Sequence, residues 1–293
     1  MSTLEPDRLT EAIIEEPEDV PQSSWILVGQ FFVVPVIIVA LCVGIFVLFG
    51  LITKDPRTAR DLLEEVKAGK GDRWQAAFEL SKFISANGSQ KDPQLARDLT
   101  IAFQSARNDD PRVREYLALA LGRLRTPLAV APLIEALNDT NPEVRLYSAW
   151  ALGESGDRAG VEPLIQLVET SDISLRKMVV FSLGMLQDPR AVPYLKAALN
   201  DRHPDICWNT ALALARLQDA SGLDILHKML DRNYLNSLTD VSENQKCEAM
   251  INSIHGIALL KDTSARGQLE VVGAGDPDIK VRAEALHALK QLP

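Results

Sequence analysis

The stretch DPRVREYLALALGRL, residues 110–124, returns as NPEVRLYSAWALGES at 141–155, DISLRKMVVFSLGML at 172–186 and HPDICWNTALALARL at 203–217. Val113, Val144, Leu175 and Ile206 share one position at a constant step of 31 residues. The halves that follow keep register, with Leu133, Leu164, Leu195 and Leu226 again 31 apart. A fixed period of this size marks stacked supersecondary units, because a lone unit cannot bury its apolar face and neighbours must share a core. Each unit has one grammar. A first helix opens at Asp/Asn-Pro in the first two units, since proline is tolerated in the first turn. Apolar residues then recur at helical spacing, as in Val113, Leu117, Leu121 and Leu124. Small residues such as Ala118 and Ala149 let helices approach closely, and Gly122, Gly153 and Gly184 recur near the helix end, with Ala215 in the fourth copy. A second helix follows at AVAPLIEAL, GVEPLIQLV, AVPYLKAAL and GLDILHKML.

Outward from this block the period loosens. Residues 53–109 carry three helix signals, DPRTARDLLEEVKAG, DRWQAAFELSKFISANG and DPQLARDLTIAFQSARN, at other spacings. They read as an N-terminal cap, since terminal repeats of a solenoid are atypical. After the regular repeats of 110–231, Asp262, Ala265 and Leu269 follow Asp188, Ala191 and Leu195 by 74 residues. That is one period plus 43, so one repeat carries about 12 extra residues, placed at an insertion loop over 232–244. Residues 245–293 read as the last repeat and a C-terminal cap ending in a single helix.

The 293-residue chain is 46% apolar and 24% charged, ordinary for a folded protein with a large core. Net charge is −9, and residues 1–24 hold seven acids against one base, Arg8. With three prolines, that segment reads as a flexible acidic tail. No basic footprint exists, which argues against a nucleic-acid partner. Cys42, Cys207 and Cys247 form no disulfide framework. Residues 25–52, WILVGQFFVVPVIIVALCVGIFVLFGLI, run 28 positions without a charge. About 20 apolar residues span a bilayer. The sequence therefore predicts one transmembrane helix, a single-pass anchor in the lipid bilayer. Lys54, Arg57, Arg60 and Lys67 follow it, which predicts cytoplasmic repeats and an outside N-terminus.

The pattern DPxVRxxAxxALGxxGDxxAVxPLxxAL resembles HEAT repeats of the short, bacterial type also found in phycobilisome-lyase proteins. The resemblance covers residues 73–291 and is strongest over 110–231. It implies an all-α fold, an α-solenoid of HEAT-like helix pairs, here preceded by a single transmembrane helix. HEAT-like proteins are typically adapters, scaffolds and complex subunits, and a subset are lyases or isomerases that attach bilin chromophores. In these families Asp and Arg residues bridge adjacent repeats. The resemblance implies that role for the ladder Arg114, Arg145 and Arg176 with Asp110, Asp139 and Asp172; Cys207 interrupts it. The alternative is an arginine row that binds an anion or a partner.

Partner-contact candidates are Tyr116 and Tyr147, one repeat apart, whose alternative is core or rim packing, and the insertion residues Tyr234, Leu235, Leu238 and Val241, apolar residues on a loop that either meets a partner or is a plain, locally packed extension. Gln30, the one strongly polar side chain of the span, either bonds a partner helix or reaches the interface. Trp150 and Phe181 are expected in the core. His255 and His287, 32 apart, are expected half-buried and too distant to share a metal. No catalytic, cofactor or metal motif is present. The expectation is a non-catalytic, membrane-anchored accessory subunit that binds a partner protein in an integral-membrane complex. The alternative is a bilin lyase or chaperone.

Overall fold

The computed structural model describes residues 32–52, 57–69, 71–87 and 92–293. The acidic tail 1–24, Trp25 and Gln30 lie outside the described residues. Helix α1, Val34–Ile52, carries exposed apolar side chains along its described part, from Val34 at 48% to Phe46 at 81% exposure. Among the described residues no helix is long and apolar enough to cross a membrane. The transmembrane helix expected over 25–52 is therefore not supported by the described structure, and the start of that run lies outside it.

Residues 57–293 form a compact unit of their own. Helix α2 is Ala59–Ala68, begun by a capping box in which Thr58 and Asp61 satisfy each other's backbone N–H groups. The first helices of the following pairs are α3 (Arg73–Asn87), α5 (Pro111–Leu124), α7 (Pro142–Ser155), α9 (Ile173–Leu186) and α11 (Pro204–Arg216). The second helices are α4 (Pro93–Ser105), α6 (Val130–Ala136), α8 (Val161–Ile165), α10 (Val192–Ala198) and α12 (Leu223–Met229). The short α13 (Arg232–Asn236) precedes α14 (Glu243–Leu260), α15 (Arg266–Gly275) and the terminal α16 (Ile279–Gln291). Among the described residues there is no strand.

The first helices α3, α5, α7, α9, α11, α14 and α16 stack in sequence, each on the next. Each second helix also packs against the first helix that follows it, so every repeat is closed by its successor. Leu117, Leu121, Leu152, Leu183 and Leu195 are buried between these layers. The regular turns have a recurrent construction. Asp157, Asp188, Asp219 and Asp262 each accept a backbone N–H two residues on, which starts the one-turn 3-10 segment before a second helix. Arg125, Gly156, Gln187, Gln218 and Lys261 end the first helices in the left-handed region, with φ between 49° and 70°. Only one of the five is glycine.

The glycines near the helix ends answer to close approach. A Cβ on Gly184 would lie 2.7 Å from the Cβ of Ala213, and one on Gly122 would lie 2.6 Å from Cζ3 of Trp150. Carried along the chain at steps of 31, 31, 31, 43 and 32, this position holds Gly122, Gly153, Gly184, Ala215, Ala258 and then Lys290. The close-packing site is filled by a lysine in α16.

Candidate protein-interaction face

The first helices expose one edge of the stack, and aromatic residues lie along it. Phe78 on α3 meets Tyr116 on α5 edge to face, with ring centroids 5.1 Å apart. Cations from neighbouring repeats cover several rings. Arg112 lies 4.5 Å from the Trp74 centroid, Arg123 4.8 Å from Trp150 and Arg216 5.3 Å from Phe181. Such pairs contribute about 0.5–1 kcal/mol each at exposed sites. Burial pushes the Arg216 guanidinium below its ordinary pKa. Trp150 and Phe181 were expected in the core. They are instead half-buried, because the core position is taken by the small residues beside them, Ala149 and Val180, which are fully covered.

Tyr116 and Tyr147 sit half-buried on the same edge. Burial, followed by the nearby Glu115 carboxylate, raises the Tyr147 phenol above its ordinary pKa. Glu115 is itself raised, by burial first and then by Glu143 and Asp110. The neighbouring base, Arg112, is held by Asp110 through Nε at 3.0 Å to both oxygens.

The arginine ladder lies deeper. Arg114 forms an ion pair with Asp139, Arg145 Nη2 lies 3.2 Å from Asp172, and Arg176 Nε lies 2.8 Å from Asp201. Asp201 was not singled out in the sequence, although it follows Asp139 by exactly two periods. Asp110, expected in the ladder, caps α5 and holds Arg112 instead, since its position at the helix start points it at the first turn. A second rule is shared by the ladder position. Arg145, Arg176 and Arg282 each donate to the carbonyl six residues earlier, at Asp139, Thr170 and Asp276. Cys207, which interrupts the arginines, does the same through Sγ to the Asp201 carbonyl at 3.1 Å. Burial, then Asp201, holds its thiol above the ordinary pKa.

The apolar residues of the insertion pack inward, the local-packing alternative, rather than standing exposed on a loop. Leu235 is completely buried, and Tyr234, Leu238 and Val241 are half-buried against the core of the C-terminal repeats. Arg232 clamps Asp276 with Nη2–Oδ1 at 2.7 Å and Nε–Oδ2 at 3.1 Å, and the buried Lys246 reaches Asn236 at 3.2 Å. With its apolar side chains turned inward, the insertion presents Ser237, Thr239 and Asp240 outward. These form one wall of a cavity of about 550 Å³ whose other walls come from α9, α11 and α14, including Trp208 and Asn252. Lys177 and Asn209 also line a shallower groove of about 420 Å³ beside Trp150, Met178 and Phe181. The groove and the cavity thus run on from one another along the same edge.

His255 and His287 are exposed rather than half-buried, because their helices lie beyond the aromatic edge. His255 Nε2 is 3.1 Å from Glu284, and His287 Nε2 is 2.7 Å from Gln291. No group of three or more potential ligands that could hold a metal occurs among the described residues. Gln30 lies outside them.

Residues 99–172 and 161–237 match the family model of HEAT repeats. No curated protein sequence matches the chain. Among solved structures, the complex of CpcE and CpcF of phycocyanin lyase from Nostoc sp. PCC7120 is similar, with 17% identity and a TM-score of 0.56 over 82% of this chain and 97% of that one. An archaeal HEAT-like repeats protein from Thermococcus onnurineus NA1 aligns at 14% identity and a TM-score of 0.41, covering 82% and 98% of the two chains. A designed armadillo repeat protein in complex with peptide (KR)4 aligns at 14% identity and 0.44, covering 81% and 100%. At these identities the likeness to the lyase structure concerns the fold.

Proposed function

We propose that this HEAT-repeat protein is a non-catalytic scaffold that binds a partner protein, and that residues 25–52 hold it at a membrane. The binding half is carried by one observation, the aromatic edge that crosses successive first helices. Aromatic residues, Met and Arg are the types enriched in protein interfaces. The anchoring half is drawn from the sequence: 28 uncharged residues at 25–52, reaching upstream of the described helix. The basic residues after that run favour cytoplasmic repeats and an outside N-terminus. Tethering raises the effective concentration near membrane partners, so a moderate surface affinity suffices. An integral-membrane complex is the client that fits this design.

The test is recovery of partners from detergent-solubilised membranes with the full chain and with a Tyr147→Glu/Phe181→Glu variant. A defined membrane protein recovered by the parent and lost from the variant supports the reading. Recovery of nothing by the parent removes it. A periplasm- or exterior-active reporter fused after Pro293 is expected to be silent, and strong activity would reverse the orientation.

A second reading, a lyase or chaperone for bilin-carrying proteins, is favoured by the fold shared with the phycocyanin lyase structure. Co-expression with a bilin and an acceptor protein separates the two. New visible absorbance on the acceptor, dependent on this chain, would establish the second reading over the first.

A further inference from the structure

We propose that the first-helix edge takes an extended basic segment of the partner protein, with a lysine or arginine side chain entering the cavity over Trp208. This rests on the scaffold reading and names the chemistry of what the scaffold holds.

The charges of the cavity carry the inference. Lys177 is already spoken for, with its Nζ 2.9 Å from Asp205. Asp240 and Glu248 line the same space, and among the described residues neither forms an ion pair. Asn209 donates its amide to the Asp205 carbonyl at 2.6 Å, which leaves its side-chain oxygen as an acceptor. The opening is therefore rich in acceptors, and the Trp208 ring, 7% exposed, lies in its lining. Acceptors beside a mostly covered aromatic side chain suit an ammonium or guanidinium, which has only donors. An anionic headgroup or nucleic-acid phosphate meets the wrong sign here.

The same sign recurs at a second place on the edge. Glu115 and Glu143 stand beside Tyr147, and Arg112, the base acting on Glu115, is held by Asp110. Burial, then the carboxylates of Glu143 and Asp110, push the Glu115 carboxyl upward. Glu143 is on α7 and Glu248 on α14, three steps apart in the stack. At ~8–10 Å per step the two acidic sites are ~24–30 Å apart, the reach of about seven to nine extended residues. The segment that fits carries basic residues at about that spacing.

The experiment uses the full chain in mild detergent and a fluorescein-labelled serine–glycine peptide with two arginines eight positions apart. A peptide with glutamates at those positions is the counterpart, and binding is read by anisotropy. The expected result is saturable, salt-sensitive binding of the arginine peptide alone. Asp240→Lys/Glu248→Lys should weaken it by roughly tenfold or more, while the control pair Glu169→Lys/Glu270→Lys, with the same change in net charge, should stay within about twofold. Helicity by circular dichroism confirms that both variants fold. Equal weakening by both pairs would mean a general field and overturn the proposal, as would equal binding of the glutamate peptide or no binding of the arginine peptide. Failure here with a partner still recovered from membranes would leave the scaffold reading standing and remove only its basic ligand.

Discussion

Arg176 Nε and Asp201 Oδ2 face each other at 2.8 Å, with side chains 9% and 13% exposed, across the junction between one repeat and the next. The same guanidinium donates backward to the Thr170 carbonyl. One side chain thus fastens the turn before its helix to the turn that begins the following repeat. Removing one partner of a buried pair leaves the other without compensation, at a cost of about 3–5 kcal/mol. Arg176→Ala should lower the melting temperature sharply. Arg145, whose pair with Asp172 is 25% and 30% exposed, should lose only about 1–3 kcal/mol as Arg145→Ala. Equal losses in thermal melts would contradict this ranking.

The left-handed helix ends provide a test free of packing. Gly156 has φ 70° and nothing within 4 Å of an added Cβ. Gly156→Ala should therefore cost about 1 kcal/mol through backbone conformation alone. Gln187 occupies the same place one repeat later at φ 49°, so Gln187→Gly should recover up to about 1 kcal/mol, less the extra entropy of the unfolded glycine. Denaturant titration of the two variants should show opposite signs.

Close approach gives a different outcome for another glycine. Gly184→Ala brings a methyl to 2.7 Å from the Ala213 Cβ and 2.8 Å from its Cα, so backbone must move. Overpacking of this kind costs about 1–3 kcal/mol. Lys290→Ala, at the corresponding position of the terminal helix, should leave the melting temperature nearly unchanged.

Acid stability should depend on Asp188. Hydrogen bonds from the Arg190 side chain, and then from its backbone N–H, lower this carboxyl from 3.8 to about 2. A depressed carboxyl stabilises the folded chain above its unfolded pKa and ceases to do so as pH falls through the folded value. Its contribution is thus complete above pH ~4 and lost toward pH ~2. The difference in melting temperature between the parent and Asp188→Asn should be constant from pH 7 to 5 and shrink below pH ~4. A difference that grows on acidification would refute the assignment.

The insertion should behave as a folded element. Leu235 is fully buried, and Leu235→Ala should cost about 2–5 kcal/mol. Hydrogen exchange should show protection across α13 in the parent, lost in Arg232→Ala as the clamp on Asp276 opens. Fast exchange there in the parent would restore the loop picture.

The stacked helices were legible because burial repeats every 31 residues, and so were the residues that turn inward. The ion pairs were legible only in part. Arg114, Arg145 and Arg176 recur in perfect register, but their acceptors alternate between two positions of the turn: Asp139 and Asp201 at one, Asp172 at the other. Thr170 interrupts the register that joins Asp139 to Asp201, which hid Asp201 from a reading by adjacent repeats. The aromatic edge was misplaced for a related reason. Trp150 and Phe181 are one residue from buried Ala149 and Val180, and large apolar side chains beside a core position look like the core itself. The insertion left two readings open because its apolar residues fill a space whose other walls are distant in sequence. Lys177 to Asn252, which enclose the cavity, share no motif.

The backward carbonyl bond and the forward carboxylate together determine how such a chain tolerates duplication. A whole unit of 31 residues copied between Arg125 and Gln218 brings its own donor, its own acceptor turn and its own small residue at the helix crossing. Every junction is then regenerated. A unit appended beyond α16 meets Lys290 where the crossing needs glycine or alanine, and the lengthening fails unless that residue changes too. A unit copied within the regular repeats is therefore accommodated where one added after α16 is not.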